Sequence, residues 1–278
     1  MQKFTACLLL FSLLACNSPK QEPSLKLYVL DGGRINVLNA RAFSETDVYA
    51  GQSFLFANPI FVIEHSKGRL IWDLGLPEAI AGMPGGMYTP DSIFHLTVEA
   101  GLSDQMKTIG LAPDSIDYIA FSHCHFDHTG NANYFSHATW LVQESEYEFA
   151  TRDSLPPQAG YSPDSYSALS KVQKLDGEYD VFGDGLVKII PTPGHTIGHQ
   201  SLSLQLPSYG PVVLSGDLYH TPENRKEKRA PRFNYDVAQT RESMEKMEAF
   251  LTENGAKLII QHNMEDYESL PKIPAYLD

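Results

Sequence analysis

The segment Ser122-His123-Cys124-His125-Phe126-Asp127-His128-Thr129-Gly130 carries three histidines and an aspartate within six residues. It follows Asp117-Tyr118-Ile119-Ala120-Phe121, an apolar run that reads as a buried strand, and it leads into Thr129-Gly130-Asn131, which reads as a turn into a short helix. The cluster therefore sits at the carboxyl end of a strand, where open α/β sheets place their sites. Side chains alternate along extended chain, so His123, His125 and Asp127 share one side, and the chain must turn for His128 to join them. Neutral imidazole and carboxylate are ligands for zinc and similar cations, which makes these four residues candidate metal ligands. Cys124 alternates with its two histidine neighbours and reads as a small buried residue facing the other way.

His-x-His-x-Asp-His after a hydrophobic strand resembles the signature of the metallo-β-lactamase-fold hydrolases. Matching segments follow downstream. His195 lies in Pro193-Gly194-His195-Thr196-Ile197-Gly198-His199, Asp217 in Leu214-Ser215-Gly216-Asp217, and His262 in Ile259-Ile260-Gln261-His262-Asn263. Each ends an apolar, strand-like run. The resemblance covers residues 25–278 and implies an α/β fold, the four-layer αββα sandwich, with the metal site at one edge between the sheets. It implies two divalent ions, zinc being the expected kind. His123, His125 and His195 would hold one, Asp127, His128 and His262 the other, and Asp217 would bridge them. Such a pair gives hydroxide from a bridging water near neutral pH, and that hydroxide attacks a carbonyl carbon. Asp73-Leu74-Gly75 resembles the family's Asp-Thr-Gly, with Leu74 departing at the middle position. Two readings of Asp73 stand, one orienting a metal-bound histidine, the other a plain turn residue. His199 reads as support for the site or strand packing, not as a ligand.

Asp217 argues against the true β-lactamases, which lack that bridging carboxylate. Asp217-Leu218-Tyr219-His220 and the close, residues 270–278, are most similar to the N-acyl homoserine lactonases, the quorum-quenching enzymes. There a tyrosine three positions after the bridging aspartate assists at the substrate carbonyl. Here that position is His220, with Tyr219 one earlier. Asp127, Tyr219 and His220 are thus the candidate catalytic residues, and residues that merely line the loop are the other reading of the last two. The expected activity is opening of a lactone ring. The alternatives are a glyoxalase-II-like thioesterase, for which Arg225-Lys226-Glu227-Lys228-Arg229 could form a basic pocket, another metal-dependent ester hydrolase of this fold, and a ligand-binding lipoprotein without turnover.

The chain has 278 residues, 42% hydrophobic and 20% charged, ample for a buried core. A net charge of -13 argues against nucleic acid or an anionic membrane surface as an electrostatic partner. At the amino terminus Lys3 precedes an apolar stretch over residues 4–14, too short to span a bilayer. It reads as the core of a signal peptide over residues 1–15. Leu13-Leu14-Ala15-Cys16 resembles a bacterial lipoprotein cleavage box, which implies a lipid on Cys16, a tether over residues 16–24, and a place in the bacterial cell envelope. An ordinary secretory signal is the other reading. Cys7 leaves with the leader, so Cys124 is the sole cysteine of the fold and no intrachain disulfide is expected.

Strands are expected over residues 25–30, ending at the turn Asp31-Gly32-Gly33, and over 54–56, 60–64 and 70–73, with Ser66-Lys67-Gly68 as a hairpin turn. Residues 77–96 form a long apolar loop with Met83, Met87, Tyr88 and Phe94. It reads either as a wall for an apolar ligand or as a loop packed on the core. A helix with Ser103 as N-cap is expected over 103–111. A strand over 139–143, a helix over 144–151 and an irregular insertion over 154–170 follow. Strands over 172–175, 179–182 and 187–191, a hairpin of 199–206 with 211–214, a long helix over 236–253 and a strand over 257–261 complete the reading.

Overall fold

The computed structural model describes residues 24–156 and 159–278. The signal peptide, Cys16 and the tether up to residue 23 lie outside the described residues. Eight strands form the larger sheet: β1 (Leu25–Val37), β2 (Phe54–His65), β3 (Gly68–Trp72), β4 (Met87–Tyr88), β5 (Phe94–Thr97), β6 (Tyr118–Ala120), β7 (Thr139–Gln143) and β8 (Val172–Leu175). Their spatial order is β4-β5-β1-β2-β3-β6-β7-β8. The second sheet contains β9 (Tyr179–Asp180), β10 (Val187–Pro191), β11 (Gln200–Leu206), β12 (Gly210–Leu214) and β13 (Lys257–Ile259), in the order β13-β12-β11-β10-β9.

Period-two alternation explains why the sheets stack. Along β2, Phe61 and Ile63 join Trp72, Val187, Leu202 and Val212 in the core between the sheets. Ile60 and Val62, one residue out of phase, join Leu102 and Met106 of α1 (Leu102–Thr108) on the outer face. On the far side Met244, Met247 and Leu251 of α5 (Val237–Asn254) cover Val213 and Ile260. The layers are therefore helix, sheet, sheet, helix. Each fully buried aliphatic side chain in them contributes roughly 1.5–3 kcal/mol.

Strand polarity gathers the loops. β3, β6 and β7 run parallel. β10 and β12 are each antiparallel to β11, and β13 is parallel to β12, so β10, β12 and β13 share one direction. The segments after β6, β10, β12 and β13 carry the expected ligands.

Several boundaries differ from the sequence expectation. Asp31-Gly32-Gly33 is a bulge inside β1, not a turn, with the register shifting between Asp31 and Arg34. A Cβ on Gly32 would lie 2.4 Å from the Asn58 carbonyl oxygen, and Gly33 has φ +116°. Glycine thus lets β1 continue where it normally signals a break. β2 is likewise one strand through Pro59, which pairs with Asp31 at the bulge. Ser103 is not an N-cap. Helix α1 begins after Gly101, and the Ser103 N–H donates to Glu78 Oε2 at 2.9 Å, so a carboxylate from a distant segment serves that end. The long helix α5 matches expectation: the Asp236 side chain accepts from the Gln239 N–H, and Gly255 closes it at φ 60°. Among the described residues no helix is long and apolar enough to cross a membrane.

Candidate metal centre

All seven expected ligands converge. The chain bends at Ser122 and His123 after β6 and is extended at His125. Asp127 and His128 then lie in a single helical turn, α2 (Phe126–Thr129), so a turn of chain, not the alternation expected of a strand, brings the four together. His195 follows β10, Asp217 sits in the 3-10 turn Gly216–Leu218 after β12, and His262 follows β13.

His195 Nε2 lies 3.1 Å from His123 Nε2 and 3.2 Å from His125 Nδ1. Asp217 turns one oxygen to each side. Its Oδ2 is 3.4 Å from His195 Nε2 and 3.8 Å from His123 Nε2. Its Oδ1 is 3.3 Å from His128 Nε2 and 3.0 Å from His262 Nε2. Asp127 Oδ2 stands 3.6 Å from both of those nitrogens. Asp217 Oδ1 and His128 Nε2 are buried with no hydrogen-bond partner. Buried polar atoms are normally paired, so orphans facing inward among imidazoles and carboxylates fit cations. The groups His123–His125–His195 and Asp127–His128–His262 each bring their ligand atoms within 4.8 Å of one another.

The far side of each ring is held. His195 Nδ1–H donates to Asn234 Oδ1 at 2.9 Å and His262 Nδ1–H to the Ala57 carbonyl at 2.8 Å. Ser122 Oγ stands 3.0 Å from His123 Nδ1, and Asp73 Oδ2 stands 3.2 Å from His128 Nδ1. Asp73 also accepts from the Ser122 N–H at 2.7 Å, so the orienting reading of this residue fits its contacts. His199 is not a ligand. Its Nε2 accepts from the Asp217 N–H at 2.9 Å, and its Nδ1–H donates to the Thr192 carbonyl at 3.0 Å, which fixes the backbone that carries Asp217. Cys124 is fully buried, outside the ligand groups, as expected.

Charge divides the centre. Burial pushes His123 and His195 well below the usual imidazole range and His125 down to about 3, which leaves neutral nitrogen donors. Burial alone would lower His128 too, but Asp127, Asp73 and Asp217 outweigh it and raise it well above that range. His262 is raised against burial by Asp217 and Asp127. Burial opposes ionisation of Asp217, yet His262, His128 and His220 hold its carboxyl well below the ordinary value. The second group thus calls for positive charge, from protons or from a metal.

Tyr219 is a correction. It is buried between β12 and α5, and its hydroxyl donates to Glu248 Oε1 at 2.9 Å and to the Met244 carbonyl. The chain leaves the Asp217 turn in extended conformation, so Tyr219 and His220 point to opposite sides. His220 is the one that reaches the centre, with Nε2 3.1 Å from Asp217 Oδ2.

Over the ligands lies a small cavity of about 60 Å³, lined by Ile35, Phe43, Phe56, Phe94, Phe126 and Phe233 above His125, Asp127, Asp217, His220 and His262. Of the long loop only Phe94 takes part. Met83, Met87 and Tyr88 are exposed, the last two because they form β4, which pairs outside β5 at the sheet edge. Phe43, Phe56, Phe233 and Asn234 are site residues that sequence reasoning missed. They come from three separate segments, Phe233 and Asn234 being neighbours, with no spacing to mark them. The basic run lies in and after α4 (Pro222–Glu227), outside this cavity, with Arg225 bound to Glu248 and Lys228 to Glu245.

The profile described as the metallo-beta-lactamase superfamily matches residues 54–254, which include every ligand but His262. The chain belongs to the metallo-β-lactamase superfamily. Within that superfamily it is similar to the N-acyl homoserine lactonase AttM of Agrobacterium fabrum, 31% identical over 266 residues, covering 91% of this chain and 98% of the relative. It is 29% identical over 274 residues to AttM of Azorhizobium caulinodans, covering 91% of this chain and 99% of that protein. Among solved structures it resembles an N-acyl homoserine lactone hydrolase with the product N-hexanoyl-L-homoserine bound at its catalytic metal centre. That similarity has a TM-score of 0.77 at 26% identity, over 90% of this chain and 98% of the other.

Proposed function

We infer that this chain is a metal-dependent hydrolase that opens the ring of N-acyl homoserine lactones, using two divalent ions of which zinc is the expected kind. The observation that carries the reading is Asp217, one oxygen turned to each ligand group, beneath an aromatic cavity. The relatives it aligns with along nearly their whole lengths are N-acyl homoserine lactonases. When bound, such an ion pair supplies a water of lowered pKa and polarises a carbonyl oxygen. The protein does the rest. Asp217 fixes the spacing. The phenyl wall excludes bulk water and receives the apolar part of the substrate. His220, its Nε2 beside Asp217, can donate to the ring carbonyl or leaving oxygen, the task of tyrosine at that position in the lactonases this chain resembles. Asp127 borders the cavity and can carry the proton that passes from the attacking water to the leaving oxygen. The balance is water plus lactone giving a hydroxy acid.

Turnover of an acyl homoserine lactone, a thioester and a β-lactam by the same preparation tests this. Preference for the thioester would replace the lactonase reading with the glyoxalase-II-like one. No turnover of any would leave a binding lipoprotein.

Phe94→Ala is expected to flatten the dependence of KM on acyl-chain length while leaving the shortest substrate unchanged. Each buried CH₂ is worth roughly 0.8 kcal/mol, and wall contacts far from the carbonyl add equally to ground and transition states, so kcat should hardly move. Met87→Ala, at an exposed position, should do nothing. A flat wild-type series, or an unchanged slope in Phe94→Ala, removes this wall from the acyl site.

We also propose cleavage before Cys16 and a lipid on its sulfur, with the chain in the bacterial cell envelope. The sequence Leu13-Leu14-Ala15-Cys16 supports this. Leu25 of β1 pairs with His65, while the other end, Val37, pairs with Phe54 beside the cavity. His262 is held by the Ala57 carbonyl, and Ala57 pairs with Arg34, so the tether would join roughly 30 Å from the centre along β1, and the cavity would face away from the membrane. Cys16→Ser should move the protein to soluble fractions. If it stays with membranes, the anchor reading fails.

A further inference from the structure

Glu146, in α3 (Glu144–Ala150), is a buried carboxylate, 1% exposed, that belongs to none of the ligand groups. Its Oε1 accepts from the Cys124 N–H at 3.0 Å and from the Tyr161 hydroxyl at 2.9 Å. Its Oε2 accepts from the Gly198 N–H at 2.9 Å. Burying a charge is costly unless hydrogen bonds replace its water, and here three donors do so.

The donors are informative. Cys124 lies between His123 and His125, in the loop of the larger sheet. Gly198 lies three residues after His195, in a loop of the smaller sheet. One carboxylate therefore links the two loops that supply the His123–His125–His195 group. The fit is close, since a Cβ on Gly198 would lie 2.5 Å from the Glu146 Cβ. The other group has separate supports on β2. The Asn58 amide donates to the Asp127 carbonyl at 2.8 Å, and His262 is held by the Ala57 carbonyl.

We propose that Glu146 is a positioning residue that sets the affinity of the ion held by His123, His125 and His195, without setting that of its neighbour. This rests on the two-ion reading above. Glu146→Gln keeps the shape but replaces one oxygen with an amide NH₂, which must oppose an N–H donor, so one of the two loops is released.

The test is a competition titration of the metal-free chain with zinc or cobalt against a chelator of known affinity, with the melting temperature measured beside it. In Glu146→Gln one dissociation constant should rise at least tenfold, and the other should stay within twofold. Equal weakening of both ions, the mark of general loosening, overturns the proposal, and so does no change. If Glu146→Gln does not fold, Tyr161→Phe, which deletes one donor, must weaken the same single ion by about threefold, or the proposal fails. If wild type takes up only one ion, the two-ion reading falls. Glu146 then keeps its role only if Glu146→Gln weakens that ion tenfold.

Discussion

Asp217→Asn is expected to lower kcat/KM by about 10³-fold or more, since on the two-ion reading the ions on either side of it would supply several kcal/mol of transition-state stabilisation, while leaving the fold in place. The two side chains are nearly the same size, and the Asp217 backbone N–H is still received by His199. The electrostatics are not the same. In wild type both oxygens serve, Oδ2 toward His195 and His123, Oδ1 toward His128 and His262. An amide offers one oxygen, carries no charge, and turns an NH₂ toward the remaining cation. With Asp127 the only other carboxylate among the seven, half the negative charge opposing two dications disappears. Steady-state kinetics, metal content and circular dichroism on the same preparation decide the matter. Unchanged turnover at native metal content would remove Asp217 from the bridging role.

Removing metal should have the next largest effect. Purified without added metal, the protein should carry close to two ions per chain. Stripping them with a chelator should abolish turnover and lower the melting temperature, and restoring both should recover each property. The physical cause is linkage, because an ion that binds only the folded chain stabilises it by about 4 kcal/mol when present at 1,000 times its Kd. For a domain of this size that is roughly 8–16 °C per ion. The metal-free centre also leaves Asp217 Oδ1 and His128 Nε2 buried without partners. One ion or fewer with full activity would end the dinuclear reading.

Much of this protein was legible before any fold was known, wherever the information is local. The metal motif after β6, the hairpin of β11 with β12, and α5 with its Asp236 and Gly255 ends all rest on periodicity and capping within a few residues. The ligands His195, Asp217 and His262 could be named because their segments resemble those of the metallo-β-lactamase fold, each at the end of an apolar run. Breaks were misread where long-range packing overrides a local signal. Gly32 and Gly33 normally end a strand, but here they let β1 pass closely over Asn58 and Gly75. Ser103 is a good cap by type, yet Glu78, 25 residues away, serves that helix end.

Side-chain direction within the site belonged to the tertiary structure alone. Tyr219 and His220 are adjacent and both chemically competent. Which one meets Asp217 depends on how the chain leaves its 3-10 turn between β12 and α5. The phenyl wall comes from Phe43, Phe56, Phe94 and Phe233, residues with no common spacing, and Glu146 joins loops 22 and 52 residues from itself. Periodicity determined the main strands and helices, and the resemblance of short motifs to a known family implied the layers and the ligands, because both are written in neighbours along the chain. The second contacts of each ligand, the wall and the choice of donor depend on neighbours in space, which exist only once the two sheets have packed.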